Sequence, residues 1–164
     1  MRRFLLILIC LVGAAAVFAA GSTGGTTSGS STSSSTSATA SPSTALDWYN
    51  AGYAAANAGK YQDGANAFQK AIALKSDYAE AYNMLGFCTR KLGNVKGAFS
   101  YYEKALSLKP NFPEAREYYG EAFVQVGNLA RAVQQYVILA RAGSKNASEL
   151  LDVISDYVNK NASG

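Results

Sequence analysis

Three columns of residues recur along this chain at an interval of 34. Gly52, Gly86 and Gly120 form one, Gly59, Gly93 and Gly127 a second, and Phe68, Tyr102 and Tyr136 a third. One period kept in three independent columns marks a repeat architecture, in which each unit buries its apolar face only against its neighbours. The columns divide the chain into units 45–78, 79–112 and 113–146. Any fold proposed for it must be the same element built three times.

The middle unit shows what that element is. Ala81, Tyr82, Leu85, Cys88 and Leu92 recur at helical spacing, and Gly93-Asn94 breaks the pattern where a left-handed residue can close a helix. Ala98, Phe99, Tyr102, Ala105, Leu106 and Leu108 form a second stripe, which Pro110 stops. The unit is therefore two amphipathic helices and a tight turn. Tyr82, Leu85-Gly86, Gly93, Ala98, Tyr102, Ala105 and Pro110 together resemble the motif of the tetratricopeptide repeat, a 34-residue helix–turn–helix unit. The resemblance covers the whole unit and implies an all-α solenoid of three such units, stacked as a right-handed superhelix whose inner wall is the first helix of each repeat.

The outer units depart from the motif in places. In the first, Trp48, Gly52, Phe68 and Ala71 match, whereas Ala51, Ala55, Gly64 and Ser76 do not. Gly64 weakens a helix interior by about 0.5–1 kcal/mol relative to Ala, so this repeat is expected to be the least stable. Thr44 and Asp47 have the spacing of a capping pair. In the third, Pro113 suits a first helical turn; Arg116 replaces the large aromatic and Leu139 the alanine, as suits a terminal repeat. Residues 147–160 read as a capping helix, with Leu150, Leu151, Ile154, Tyr157 and Val158 on one face and Asn146–Glu149 at capping-box spacing. Glycine is costly inside a helix, so the column at 52, 86 and 120 needs a reason. The reading is close approach of the paired helices, with the glycines opposite Gly64, Ala98 and Ala132.

The segment before the repeats has another character. Residues 1–20 place Arg2 and Arg3 ahead of an apolar run from Phe4 to Ala20, the pattern of a cleavable secretory signal, or alternatively of a membrane anchor over 4–20. Either way the chain is expected to be exported, to a periplasmic or extracellular location. Residues 21–44 are Ser, Thr and Gly with no large apolar side chain, so nothing offsets the entropy of ordering them. Such a spacer spans about 25–30 Å on average.

Composition excludes several chemistries. Histidine is absent, which removes the commonest general base and metal ligand. Beyond the leader, 13 basic side chains face 11 acidic ones and do not cluster, unlike a nucleic-acid footprint. Only Cys88 lies outside the leader, with no histidine to activate it, and it reads as a buried helix residue. No phosphate loop, dinucleotide fingerprint or metal-ligand spacing occurs, so no cofactor and no metal are expected, and the chain is not expected to be an enzyme. Asn146-Ala147-Ser148 and Asn161-Ala162-Ser163 match the N-glycosylation pattern.

What remains is binding. The resemblance implies a concave groove lined by Leu46, Tyr49, Tyr53 and Asn57 from the first repeat and by Asn83, Phe87, Arg90 and Lys91 from the second. Glu114, Glu117, Glu121 and Val124 come from the third. Of these, Tyr49, Tyr53, Asn83, Phe87, Arg90, Glu114, Glu117 and Glu121 are the candidate partner-binding residues. Aromatic anchors with few rotamers suit a binding surface, and the three carboxylates at i, i+3 and i+7 make one stripe. The expected partner is a peptide or helix of another protein with an apolar or aromatic part and some positive charge. A role in assembling a cell-envelope complex is expected, with a self-associating homo-oligomeric scaffold as the alternative. Some members of the family grip chaperone C-termini with a basic and amide clamp. The corresponding positions here are Tyr49, Tyr53, Met84, Glu114 and Tyr118, with no Lys or Arg, so that ligand is not expected.

Overall fold

A computed structural model describes residues 42–162. The leader and all but the last three residues of the spacer lie outside the described residues, as do Ser163 and Gly164. Among the described residues are seven α-helices: α1 (Ala45–Asn57), α2 (Tyr61–Leu74), α3 (Ala79–Lys91), α4 (Val95–Leu108), α5 (Pro113–Gln125), α6 (Leu129–Arg141) and α7 (Asn146–Ala162). Three helix–turn–helix units and a cap are thus present in the expected registers, and the chain is an all-α solenoid. None of these helices is long and apolar enough to cross a membrane.

Helix ends follow local chemistry. Thr44 closes the start of α1 with a reciprocal capping box: its Oγ1 accepts from the Asp47 N–H at 3.1 Å and its N–H donates to Asp47 Oδ2 at 2.9 Å. Asn94 and Asn128 cap α4 and α6 through side-chain oxygens that accept from the N–H groups of Gly97 and Arg131. At the end of α3, Gly93 adopts φ 91°, and the Asn94 N–H then reaches back to the Thr89 carbonyl at 3.1 Å. The same left-handed closure recurs at Gly59, Gly127 and Gly143. Leu92, expected in the apolar stripe of α3, is exposed because it lies one residue beyond the helix.

Each pair packs on itself, α1 on α2, α3 on α4 and α5 on α6, and each second helix packs on the next repeat's first. The glycine column sits at the tightest points, with a difference in detail. A Cβ on Gly64 would lie 3.2 Å from the Gly52 carbonyl oxygen, and Ala98 and Ala132 are fully buried. The space at the column itself, however, is filled by side chains. A Cβ on Gly52 would lie 2.9 Å from the Phe68 ring, and one on Gly86 would lie 2.8 Å from the Tyr102 ring. At Gly120 the occupant is not Tyr136 of its own repeat, which is only partly buried, but Leu150 of α7. The cap lies against both α5 and α6 and supplies the missing side chain.

The cap differs from expectation in its facing and its start. Ala147, Leu150, Ile154 and Tyr157 turn inward, whereas Leu151 and Val158 are exposed, because positions 151 and 158 fall on the flank of the stripe set by 147, 150, 154 and 157. Asn146 does not cap α7 with Glu149. It is the first residue of α7; its Nδ2 donates to Glu117 Oε2 at 2.5 Å and its Oδ1 accepts from Ser144 Oγ. Buried in this way, Asn146 presents no accessible glycosylation amide in the folded state.

Glu117 is a buried carboxylate, 6% exposed. Burial pushes its pKa up to about 7, against the lowering effect of the Asn146 hydrogen bond and with added repulsion from Glu149 and Glu121. Because the folded pKa lies above the unfolded one, the contribution to stability is complete below about pH 4.5 and is lost as the pH rises towards 7. Glu117→Gln, which keeps an acceptor for Asn146 without the charge, should flatten the melting temperature between pH 5 and 8 and make the variant the more stable form at pH 8. The wild type should lose on the order of 1 kcal/mol per pH unit between about pH 5 and 7 and little more above it, readable by thermal denaturation monitored by circular dichroism. Gly86→Ala should cost about 1–3 kcal/mol in urea denaturation, since the Tyr102 ring is fully buried and has nowhere to retreat.

Candidate partner-binding groove

The first helices of the three repeats form one wall, with α3 touching both α1 and α5. A cavity of about 320 Å³ opens on it. From α1 it receives Tyr49 and Tyr53, and from α3 Glu80, Asn83 and Met84. Glu114 and Tyr118 of α5 face them, and Lys109 and Phe112 close the end where α4 turns into α5.

The tyrosines are held to different degrees. Tyr49 packs against Phe68 and Tyr78 with ring centroids 5.6 and 5.1 Å away, and burial pushes its hydroxyl pKa up to about 12. Tyr53 stacks on Tyr49 at 6.3 Å and is otherwise open, 47% exposed. Asn83 is the reverse: it is 3% exposed, and its Oδ1 has no hydrogen-bond donor. An unmet buried acceptor costs about 1–3 kcal/mol.

Four of the eight candidate residues, Tyr49, Tyr53, Asn83 and Glu114, therefore line one cavity. Phe87 lies beside it, partly buried between Tyr61 and Tyr118 at 6.0 and 5.3 Å. The other three are not free groove residues. Arg90 is buried; its guanidinium pairs with Glu121 at 2.6 Å, and its Nε donates to the Tyr102 hydroxyl at 3.4 Å. Glu117 is taken up by Asn146. The stripe of carboxylates at 114, 117 and 121 is real as a helical face, but α3 and α7 cover its lower part and leave only Glu114 open. Of the wider lining, Leu46, Asn57 and Lys91 are exposed and Val124 is buried.

Sequence reasoning missed Glu80, Lys109 and Phe112. Lys109 Nζ donates to Glu80 Oε1 at 2.8 Å and stands 4.4 Å from the centre of the Phe112 ring. The Lys109 hydrogen bond holds the Glu80 carboxyl below its usual value. A signal for Glu80 existed: it and Glu114 are one repeat apart, so both enter at the first turn of a wall helix.

No group of three His, Cys, Asp or Glu side chains that could hold a metal occurs among the described residues. Cys88 is fully buried, and burial pushes its thiol pKa up to about 11, far from the thiolate needed for nucleophilic attack.

The tetratricopeptide repeat family matches the chain over residues 49–113 and 91–147. Curated protein sequences give no significant match. Among solved structures, the type III secretion chaperone SycD of Yersinia enterocolitica, in complex with a peptide of the translocator YopD, is 21% identical. It superposes with a TM-score of 0.61 over 70% of this chain and 89% of that one. The first repeat domain of Spaghetti (RPAP3), bound to the HSP90 peptide SRMEEVD, is 20% identical with a TM-score of 0.62, over 70% and 93%. MamA is 32% identical with a TM-score of 0.54, over 70% of this chain and 62% of its own. With the 34-residue registers, the glycine column and a matched region that runs from α1 to the start of α7, the chain belongs to the tetratricopeptide repeat family.

Proposed function

We propose that this domain is a non-enzymatic adaptor that holds a peptide or helix of a partner protein in the groove between α1, α3 and α5. The observation that carries the reading is a single open cavity that combines an exposed aromatic ring, Tyr53, with the rings of Tyr49 and Tyr118 and the exposed carboxylate of Glu114. Such a surface gains from covering by another polypeptide. SycD and RPAP3, of the same fold, were each solved with a peptide bound. Among the described residues the thiol of Cys88 is buried and held protonated, and the raised carboxyl of Glu117 is taken up by Asn146 away from the groove, which supports a binding rather than a catalytic role. We place the domain in the cell envelope, exported by the leader at 1–20 and set apart from it by the spacer at 21–44.

A photo-crosslinking residue at Tyr53 in the full chain, expressed in its own cells, should capture one discrete partner. The same residue at Lys104, exposed on α4, should not. Tyr53→Ala should weaken retention of that partner about 10-fold, the equivalent of about 1.4 kcal/mol, with an unchanged circular-dichroism spectrum because the ring stacks only on Tyr49. Equal capture from both positions would overturn the groove reading. A sedimentation run on the purified chain separates it from self-assembly: a concentration-dependent oligomer with no captured partner favours the scaffold.

A further inference from the structure

The outer sides of the second helices are not alike. There α2 presents Gln69 and Lys70, and α4, one period on, presents Glu103 and Lys104, all four exposed. At the same places α6 presents Val137 and Ile138. With Val133 they form one strip along the helix, and Val133 and Ile138 are each 42% exposed. The cap does not shelter them: α6 packs on α5 and α7 with Ala132, Tyr136 and Leu139, and no other described helix reaches it. Beside Ile138 a recess of about 100 Å³ opens between the start of α5 and the end of α6, lined by Phe112, Pro113, Leu139 and Ala142. Its polar edge is Arg116, which replaces the ring that Trp48 and Tyr82 supply in the earlier repeats and donates to the Pro110 carbonyl at 2.9 Å. The charge along α6 has one sign. Residues 122–148 contain Arg131, Arg141 and Lys145 and no carboxylate. Arg131 lies over the Phe123 ring. Arg141, one turn beyond Val137 and Ile138, is exposed and has no ion-pair or hydrogen-bond partner among the described residues.

We propose that the outer side of α6 docks an amphipathic helix of a partner protein whose apolar stripe is flanked by carboxylates. The partner's apolar side chains lie along Val133, Val137 and Ile138, one of them enters the recess beside Ile138, and a carboxylate meets Arg141. An apolar strip with a polar border is the kind of surface that takes another polypeptide, and a straight helical strip matches a second helix. A recess selects a protruding side chain, which a helix offers and a bilayer surface does not. The same face of a second copy is a poor occupant, because it would set cation against cation. This surface is separate from the groove of α1, α3 and α5, so the proposal does not depend on what that groove holds.

The test is a phage-displayed library of helical peptides about five turns long, panned against the full chain with the Ile138→Glu chain as counter-selection. Circular dichroism checks that variant, and Val133→Glu at the other end of the strip takes its place should Ile138→Glu not fold. Sequences retained by the wild type alone should carry apolar residues at i, i+3 or i+4 and i+7, with Asp or Glu beside them. For a selected synthetic peptide, replacing the acidic residue by Gln should raise Kd about 5-fold at about 50 mM salt, and the difference should shrink at about 500 mM. Arg141→Glu should weaken the acidic peptide about 10-fold and strengthen its Lys-substituted form. Tyr53→Ala should bind the peptide as the wild type does. No helix distinguishing wild type from the strip variant, an acidic residue absent from those selected, or indifference to Arg141→Glu would overturn the proposal. Loss of the peptide in Tyr53→Ala would move it to the groove and overturn the proposal too. Two further results would reassign the face: a dimer in sedimentation that Ile138→Glu dissolves gives it to a second copy. Binding to phosphatidylglycerol–phosphatidylcholine vesicles that both Ile138→Glu and Arg141→Glu abolish, with no helix selected, gives it to a membrane.

Discussion

The structure depends on three absent side chains. At Gly52, Gly86 and Gly120 a bulky group from another helix lies so close that even a methyl would collide with it. A helix interior disfavours glycine by about 0.8–1.0 kcal/mol relative to Ala, and the repeat accepts that cost three times because the gap lets Phe68, Tyr102 and Leu150 sink to full burial. Everything outside follows from how near the helices come. If α3 stood further from α4, α1, α3 and α5 could not share a wall, and Tyr53, Asn83 and Tyr118 would not meet in one cavity.

The groove illustrates how a repeat spends its variable positions. The columns that hold the stack together are nearly the same in each unit. The positions facing the hollow differ, with tyrosines in the first repeat, an asparagine and methionine in the second and a glutamate and tyrosine in the third. Solenoids divide labour in this way because each repeat needs only its neighbour for stability. Recognition chemistry then sits on residues whose replacement leaves the packing intact. Tyr49, Met84 and Tyr118 also serve the packing: Tyr49 braces Phe68 and Tyr78, Met84 belongs to the buried core and Tyr118 lies against Phe87.

Much of this could be read from the chain alone, because helical period, glycine closure and proline placement are local physics. The three helix pairs lie where those signals put them, and the cap helix follows, begun by Asn146 itself. What stayed hidden involves partners distant in sequence. That Arg90 is buried follows from Glu121 and Tyr102 reaching it, and no spacing rule links 90 to either. Glu117 reads as one of three equivalent carboxylates until α7 brings Asn146 against it. The pairing of Lys109 with Glu80 spans 29 residues. Leu150, not Tyr136, fills the third gap because the cap's register against α5 is set by packing rather than by pattern. Periodicity identifies a face; it does not say what will lie on it.

The two seams between repeats are made of different materials. Between the second and third run directional contacts: Arg90 to Glu121 and the Tyr119 hydroxyl to Glu103 at 2.6 Å. Between the first and second, no side-chain hydrogen bond or ion pair is found among the described residues. That seam is apolar, with Phe68, Met84 and Cys88 in one cluster and Tyr61 edge-on to Phe87. Apolar packing is non-directional, whereas ion pairs and hydrogen bonds fix a geometry. The array therefore has one seam held by directional contacts and one held by packing alone, and Tyr49 and Tyr53 sit beyond the latter.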